Sequence, residues 1–361
     1  MIFRKTFLLS VFLPTGIALL TLLPSCTEQP GPGEEEKGYA RGVFIVNEGA
    51  FFNSNASISW FDPDSLKMVN YLFLQENGRP LGDVAQSFTR TKNRGYIVVN
   101  NSQKMEIVDL VTFQSTGVID KLTYPRYFMP VDEVKGYLTN GNLEGQVLVV
   151  DLINQRITDT IQVGFGPEHM IRKQNRVFVA NSGGWGNDST LSVINVATDL
   201  VEETWEVGYN PVDLVFDIHG LMWVLCKGKV VWGADWTLAI ETSSQLVRID
   251  PESGTVLERI DIGYIGDYYW PEKLSVDPTG QYVYFTESGG FYRMQVNAGK
   301  APESPFIDKM FYGFGFDPQS RMLYGLEAQS FTGPGFLFRY DRDGIRVDSL
   351  EVGIGPNQVV F

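Results

Sequence analysis

The sequence predicts an all-β fold, a seven-bladed β-propeller closed by its C-terminal strand. Two periodic observations carry that expectation. An aromatic residue early in an extended apolar run recurs seven times, as Phe44, Tyr96, Tyr137, Phe178, Trp223, Tyr284 and Tyr324, at spacings of 52, 41, 41, 45, 61 and 40. A turn signal recurs downstream, at Asp62-Pro63, Asp109-Leu110, Asp151-Leu152, Asn195-Val196, Asp250-Pro251 and Asp341-Arg342, with Gln295 in the sixth slot. A period of about 40–50 residues carrying four short strands is the spacing of propeller blades. The stretch Arg176–Val196 shows the unit plainly: Val177–Ala180 extended, a polar Gly-rich loop, then a second extended run at Leu191, Val193 and Ile194. Glycine, Asn and Asp interrupt the chain while Val, Ile and aromatics fill the runs, as in short antiparallel strands.

In chain order, residues 1–25 read as an export signal, with Arg4 and Lys5 ahead of the apolar stretches Phe7–Leu13 and Ile17–Leu23. The end of that segment, Leu23-Pro24-Ser25-Cys26, resembles a bacterial lipobox, so Cys26 is the expected lipidation site. Residues 26–40 are expected to be the lipidated cysteine and a disordered tether, because Thr27–Lys37 has Pro, Gly and three consecutive Glu and cannot bury anything. Residues 41–361 are expected to be one propeller. Its first blade lacks an opening strand, with strands expected at 43–47, 57–61 and 68–73. The run Pro356–Phe361 is expected to supply the missing strand and pair the open edge. Each innermost strand is announced by a proline, Pro80, Pro125, Pro167, Pro211, Pro271 or Pro356, and in the seventh blade by Tyr312-Gly313. Proline suits the first residue of a strand because no ladder donor is needed there.

The composition narrows the partners. With 43% hydrophobic and 13% aromatic residues the chain can fill a large core, and a net charge of −14 disfavours nucleic acid and anionic membrane surfaces. Of its two cysteines, Cys26 is the expected lipidation site, which leaves Cys226 without a partner, so no disulfide framework is expected.

Strand direction alternates, so the loops between second and third strands share one end of the ring with the linkers between blades. The hairpins at the opposite end read as short and polar. The first set of loops is long and aromatic, carrying Phe51 and Phe52, Tyr124, Phe165, Trp185, Tyr209, Trp232 and Trp236, Tyr264, Tyr268-Tyr269-Trp270 and Phe331. Asn47, Asn140 and Asn181 stand where second strands enter that end, and Arg79 and Arg126 beside innermost strands, with Glu168, Glu272 and Asn357 around the channel mouth. The expected ligand-binding set is Asn47, Phe51, Arg79, Tyr124, Arg126, Asn140, Asn181, Trp185, Tyr209, Trp232, Trp236, Tyr268, Trp270 and Phe331. Aromatic faces with a few amides and charges suit a large, flat, partly polar ligand. The insertion Lys227–Ser243 in the fifth blade is the foremost single candidate, because a long loop with apolar bulk on a rim is usually functional.

No catalytic constellation is found. There is no Cys/His cluster at metal-ligand spacing, no G-x-S-x-G and no phosphate-binding loop opening a helix. His169, on an innermost strand, reads as a structural histidine before a base or ligand; His219 reads as surface; Asn187-Asp188 offers too few oxygens for calcium. The expectation is a binding protein with neither catalysis, cofactor nor metal.

With these repeats, proline openers and lipobox, the chain resembles the YncE-like seven-bladed propellers. Among them it is most similar to the Bacteroides surface lipoproteins of the BtuG type. That resemblance implies capture of cobalamin (vitamin B12) or a related corrinoid over one end of the ring. It also implies transfer to a TonB-dependent outer-membrane transporter, and a lipid anchor at the outer membrane facing the cell exterior. Trp185, Trp232, Trp236, Tyr268 and Trp270 would cover corrin edges, and Asn47, Asn140 and Asn181 would meet its amide groups. A protein-interaction or adhesion scaffold remains as the alternative, followed by a propeller lactonase or lyase using His169, Glu168 and Glu272.

Overall fold

A computed structural model describes residues 38–142, 144–235, 237–263 and 272–361. These residues fall within one compact unit, Lys37–Phe361. They form seven antiparallel sheets whose innermost strands touch in sequence around a ring. Blade 1 is Pro356–Val360, Val43–Asn47, Ser57–Asp62 and Lys67–Val69 from the axis outward. The C-terminal strand therefore closes the ring, pairing Phe44 with Val360 and Ile45 with Val359. Blades 2, 3 and 4 each run as four consecutive strands, beginning at Ala85–Arg90, Pro125–Pro130 and Pro167–Lys173. Blade 5 begins at Pro211–Phe216, blade 6 at Leu274–Val276 and blade 7 at Gly313–Phe316.

The seven repeat aromatics do one job. Each sits in the second strand of its blade and is at most 5% exposed. The apolar residues segregate into seven clusters, one for each interface between neighbouring blades. Phe44 faces blade 2 and Tyr96 blade 3; the series runs on to Tyr324, which faces blade 1. Strand periodicity explains the pairing of faces: successive side chains alternate, so Phe178 and Ala180 serve the interface with blade 5 while Val177 and Val179 serve that with blade 3. Cations cover several of these rings, with Arg176 5.8 Å from the Phe178 centroid and Arg248 5.5 Å from Trp223.

The recurrent turn signal also has a mechanism. At the end of the third strand the carboxylate or amide oxygen accepts a backbone N–H two residues on. This occurs at Asp62 from Asp64, Asp109 from Val111, Asp151 from Ile153, Asn195 from Ala197, Asp250 from Glu252 and Asp341 from Asp343. That local bond makes the tight hairpin into the fourth strand. Blade 6 has Gln295 in this slot, and its sheet has three strands, Leu274–Val276, Tyr282–Glu287 and Gly290–Gln295. The chain returns to it through one bridge, Phe291 to Ile307.

Four expectations need correction. The strand expected over 68–73 is the short strand Lys67–Val69 followed by a helix, Leu72–Asn77. Tyr71 enters it and Gly78 leaves it in the left-handed conformation, which buries Leu72 and Phe73 under the first interface. Pro80 does not open a strand; blade 2 begins at Ala85, because Gly82 and Val84 take positive φ and interrupt the extended chain before it. The ordered fold takes in Gly38–Arg41, a single 3-10 turn, since Tyr39 packs edge-on to Trp60 at 5.2 Å and accepts its indole N–H at 2.9 Å through its carbonyl. The fifth-blade insertion is a two-stranded ribbon, Val230–Trp232 against Leu238–Ile240. Pro271, Cys26 and the export signal lie outside the described residues.

Two outcomes test the architecture. Phe178→Ala should cost about 3–5 kcal/mol in denaturant unfolding, with Phe178→Leu much milder, because the first empties an inter-blade core. Removing residues 356–361 should expose the edge of Val43–Asn47, and loss of the single cooperative melt, with aggregation on gel filtration, is the expected result.

Candidate functional site

The innermost strands are bulged. In blades 1 to 5 one extra residue is inserted just after the strand opens, as between Pro125 and Phe128 or between Pro167 and Met170. A bulge breaks strict alternation and re-aims side chains. Here it sets polar groups into the wall of the channel in two layers. In the upper layer Arg126 donates through Nε to both oxygens of Glu168, at 3.0 and 2.9 Å, and through Nη1 to Gln86, so it links the inner strands of blades 2, 3 and 4. Glu48 closes the same layer, accepting from Asn357 Nδ2 at 2.8 Å and from the Tyr312 hydroxyl at 3.0 Å. In the lower layer His169 Nδ1 lies 2.8 Å from Asp213 Oδ1, and Lys273 Nζ donates to the Tyr127 hydroxyl at 2.9 Å.

The electrostatics follow from burial and pairing. Burial raises the Glu48 carboxyl above the usual range despite its two hydrogen bonds. It also pushes the Tyr312 phenol well up, with Glu48 adding to the effect. Lys227, 2.9 Å away, holds Glu272 down at about 2. Burial works to raise Asp213, but His169 and Lys273 outweigh it and keep the carboxylate below its ordinary value.

Above these layers, the exposed aromatics gather at one end of the ring. Phe51 and Phe52 meet tilted, with ring centroids 4.2 Å apart, on the loop after Val43–Asn47, and Phe52 is 78% exposed. Trp185, 65% exposed, meets Tyr124 of the neighbouring blade edge-on at 6.4 Å. Phe331 meets Tyr312 edge-on at 5.2 Å. Tyr209 and Phe165 are exposed on linkers between blades. Tyr312 and Phe331, with Met310 and Ala328, help to line a cavity of about 440 Å³ whose polar side is Glu272 and Lys273. The opposite end is less polar than expected, with Leu66, Val111, Ile153, Leu200 and Ile345 exposed singly in its outer hairpins. Scattered aliphatics of this kind are ordinary surface.

The structure separates the expected site residues into groups. Phe51, Tyr124, Trp185, Tyr209 and Phe331 reach the loop end, and Arg126 lies in the channel wall below it. Asn47, Asn140 and Asn181 do not face a ligand. They are buried, and their amides tie second strands to third: Asn47 donates to Ser57 and Ser59, Asn181 to Thr190 and Ser192, Asn140 to Gln146. Linker glycines cover two of them so closely that a Cβ on Gly353 or Gly164 would come within 2.7 Å of the amide nitrogen beneath. Arg79 is removed as well. Its guanidinium makes a fork to Glu106, at 2.8 and 2.9 Å, and reaches Ser115, because a fully buried Glu106 on a third strand needs Arg79 and Lys104 as counter-charges. Trp236, Tyr268 and Trp270 lie outside the described residues, as does the Trp232 side chain.

Several residues escaped the sequence reading. Tyr312, Glu48, Tyr127 and Lys273 all contribute to the mouth or the wall of the channel. Tyr127 and Lys273 stand second after Pro125 and Pro271, and that shared offset was the available signal. Among the described residues no group of three or more metal-ligating side chains could hold an ion, and Asp188 is spent on Ser189, Thr190 and Phe165. No helix among the described residues is long and apolar enough to cross a membrane.

Comparison with known proteins sharpens the fold more than the site. A quinoprotein alcohol dehydrogenase-like protein of Bacteroides thetaiotaomicron is similar at a TM-score of 0.67 and 15% identity, over 90% of this chain and 79% of that one. A putative 6-phosphogluconolactonase of Bacteroides fragilis gives 0.64 and 12%, over 89% and 98%. The periplasmic gluconolactonase PpgL of Pseudomonas aeruginosa gives 0.62 and 14%, over 88% and 99%. At such identities the likeness establishes the propeller alone. No curated protein matches the sequence. The family described as a domain of unknown function, DUF5074, matches residues 41–350, nearly the whole ring, and the chain belongs to that family.

Proposed function

We propose that the protein captures cobalamin or a related corrinoid at the loop end of the ring and passes it to a TonB-dependent outer-membrane transporter. The observation that carries this reading is the convergence of exposed aromatic pairs, Phe51–Phe52, Tyr124–Trp185 and Tyr312–Phe331, around one end of a rigid ring, beside a cavity of about 440 Å³. Flat apolar faces with a few fixed polar groups beneath suit a large macrocycle with an amide rim. The role is capture without a chemical step. Anchorage through Cys26 at the outer membrane, facing outward, belongs to the same proposal and rests on the lipobox-like segment.

Two measurements test it. Calorimetric titration of the purified protein with cyanocobalamin should give one-to-one binding, and Trp185→Ala combined with Phe331→Ala should weaken it by about 5- to 150-fold, at roughly 0.5–1.5 kcal/mol per aromatic lost. Absence of heat and of co-elution would overturn the ligand assignment. Separately, labelled palmitate should be incorporated in cells by the wild type and not by Cys26→Ala; equal labelling would remove the anchor.

A further inference from the structure

We propose that the central channel, below the rim, binds a small carboxylate carrying a short apolar group, held by Lys273, Tyr127 and Gln358. The site lies in a second cavity that shares Lys273 with the loop-end cavity, but its ligand and its test are independent of the loop-end reading.

The argument begins with which hydrogen-bonding groups of the wall are already spent. Arg126, Lys227 and His169 each rest on a carboxylate, those of Glu168, Glu272 and Asp213. Lys273 does not. Among the described residues its ammonium has the Tyr127 hydroxyl at 2.9 Å and no carboxylate within ion-pair distance. An ammonium has three donors, so two remain. Burial works to lower the Lys273 pKa, but Tyr127 and the more distant Asp213 and Glu272 outweigh it, so the group stays charged.

The neighbours are donors too. The Tyr127 oxygen accepts from Lys273 and, at 3.5 Å, from Gln86, which leaves its own proton to give away. Gln358 Oε1 accepts the Phe88 N–H at 2.8 Å, so the other end of that amide, its NH2, is left over. Asp213 accepts the N–H groups of Leu214 and Leu274, each at 2.8 Å, and faces His169, so most of its acceptor capacity is engaged. Lys273, Tyr127, Gln358 and His169 come from four blades and line one cavity of about 260 Å³. Its remaining wall carries the polar Asp213, Ser275 and Asn357 and an apolar side of Phe314, Phe316, Val359 and Phe361.

An excess of donors calls for an acceptor-only group, and an ionised carboxylate offers two oxygens to an ammonium, a phenol and an amide at once. The apolar wall then takes an alkyl or aryl remainder. A cavity smaller than the usual 300–1,000 Å³ range of ligand pockets fits a compact molecule and excludes a macrocycle.

Sodium benzoate is the probe, with benzyl alcohol and inorganic phosphate as controls, each titrated calorimetrically into the purified protein. Benzoate should bind one-to-one, and the two controls should bind far more weakly. Lys273→Met, which keeps the aliphatic stem, should weaken benzoate by about 10- to 100-fold, the usual range for losing a charge-assisted bond. Gln358→Glu is the second variant, because it keeps the acceptor for Phe88 and replaces the free donor with a negative charge; it should abolish binding while the melting transition stays intact. No benzoate heat from the wild type would overturn the proposal. So would phosphate or benzyl alcohol binding as tightly as benzoate, or benzoate binding unchanged in Gln358→Glu.

Discussion

Everything in this molecule hangs on one repeated contact, the packing of a second-strand aromatic against the next blade. A single four-stranded antiparallel sheet has two apolar faces and no way to bury them alone. Phe44, Tyr96, Tyr137, Phe178, Trp223, Tyr284 and Tyr324 solve that problem identically seven times, each seated in its own cluster between two sheets. Because both faces of each sheet are used, no blade is stable in isolation and the last must meet the first. The strand Pro356–Val360 makes that meeting covalent in effect, by placing the end of the chain inside the blade that begins it.

Ring closure forces the innermost strands together and so creates the functional opportunity. Seven strands converging on an axis leave a narrow channel, and the bulges near their openings turn polar residues into its wall. Buried charge is tolerable there only when it is shared between blades. Arg126 spans three of them, and Glu48 holds Asn357 within blade 1 and joins it to blade 7 through Tyr312. The result is a stiff polar collar under a rim of exposed aromatic rings.

The legibility of the chain was uneven, for reasons visible in particular residues. Repeat aromatics and Asx turns were readable because both effects are local in sequence: one depends on strand alternation, the other on a side chain reaching two residues onward. Asn47 and Asn181 were misplaced because an amide at a strand end looks the same whether it faces ligand or satisfies a neighbouring strand. The linker glycines that cover them, Gly353 and Gly164, come from 306 residues after Asn47 and 17 before Asn181. Arg79 was misplaced likewise, since its partner Glu106 lies two strands away and alternation alone does not tell which carboxylate is buried. The strand expected over 68–73 runs into the helix at Leu72 and Phe73 because so short an apolar run fits either period.

Periodicity in the amino-acid order was enough for the architecture: seven blades, closure by the last strand, and aromatic loops collected at one end. These follow from repeat length and from strand direction, which alternate by necessity. The channel was another matter. Which cation matches each of Glu168, Asp213 and Glu272, and that Lys273 meets only a phenol among the described residues, depends on distances between side chains 42 to 146 residues apart in the chain. Those distances are set by the radius of the ring and by single-residue bulges, and a one-residue slip in either would aim each side chain elsewhere.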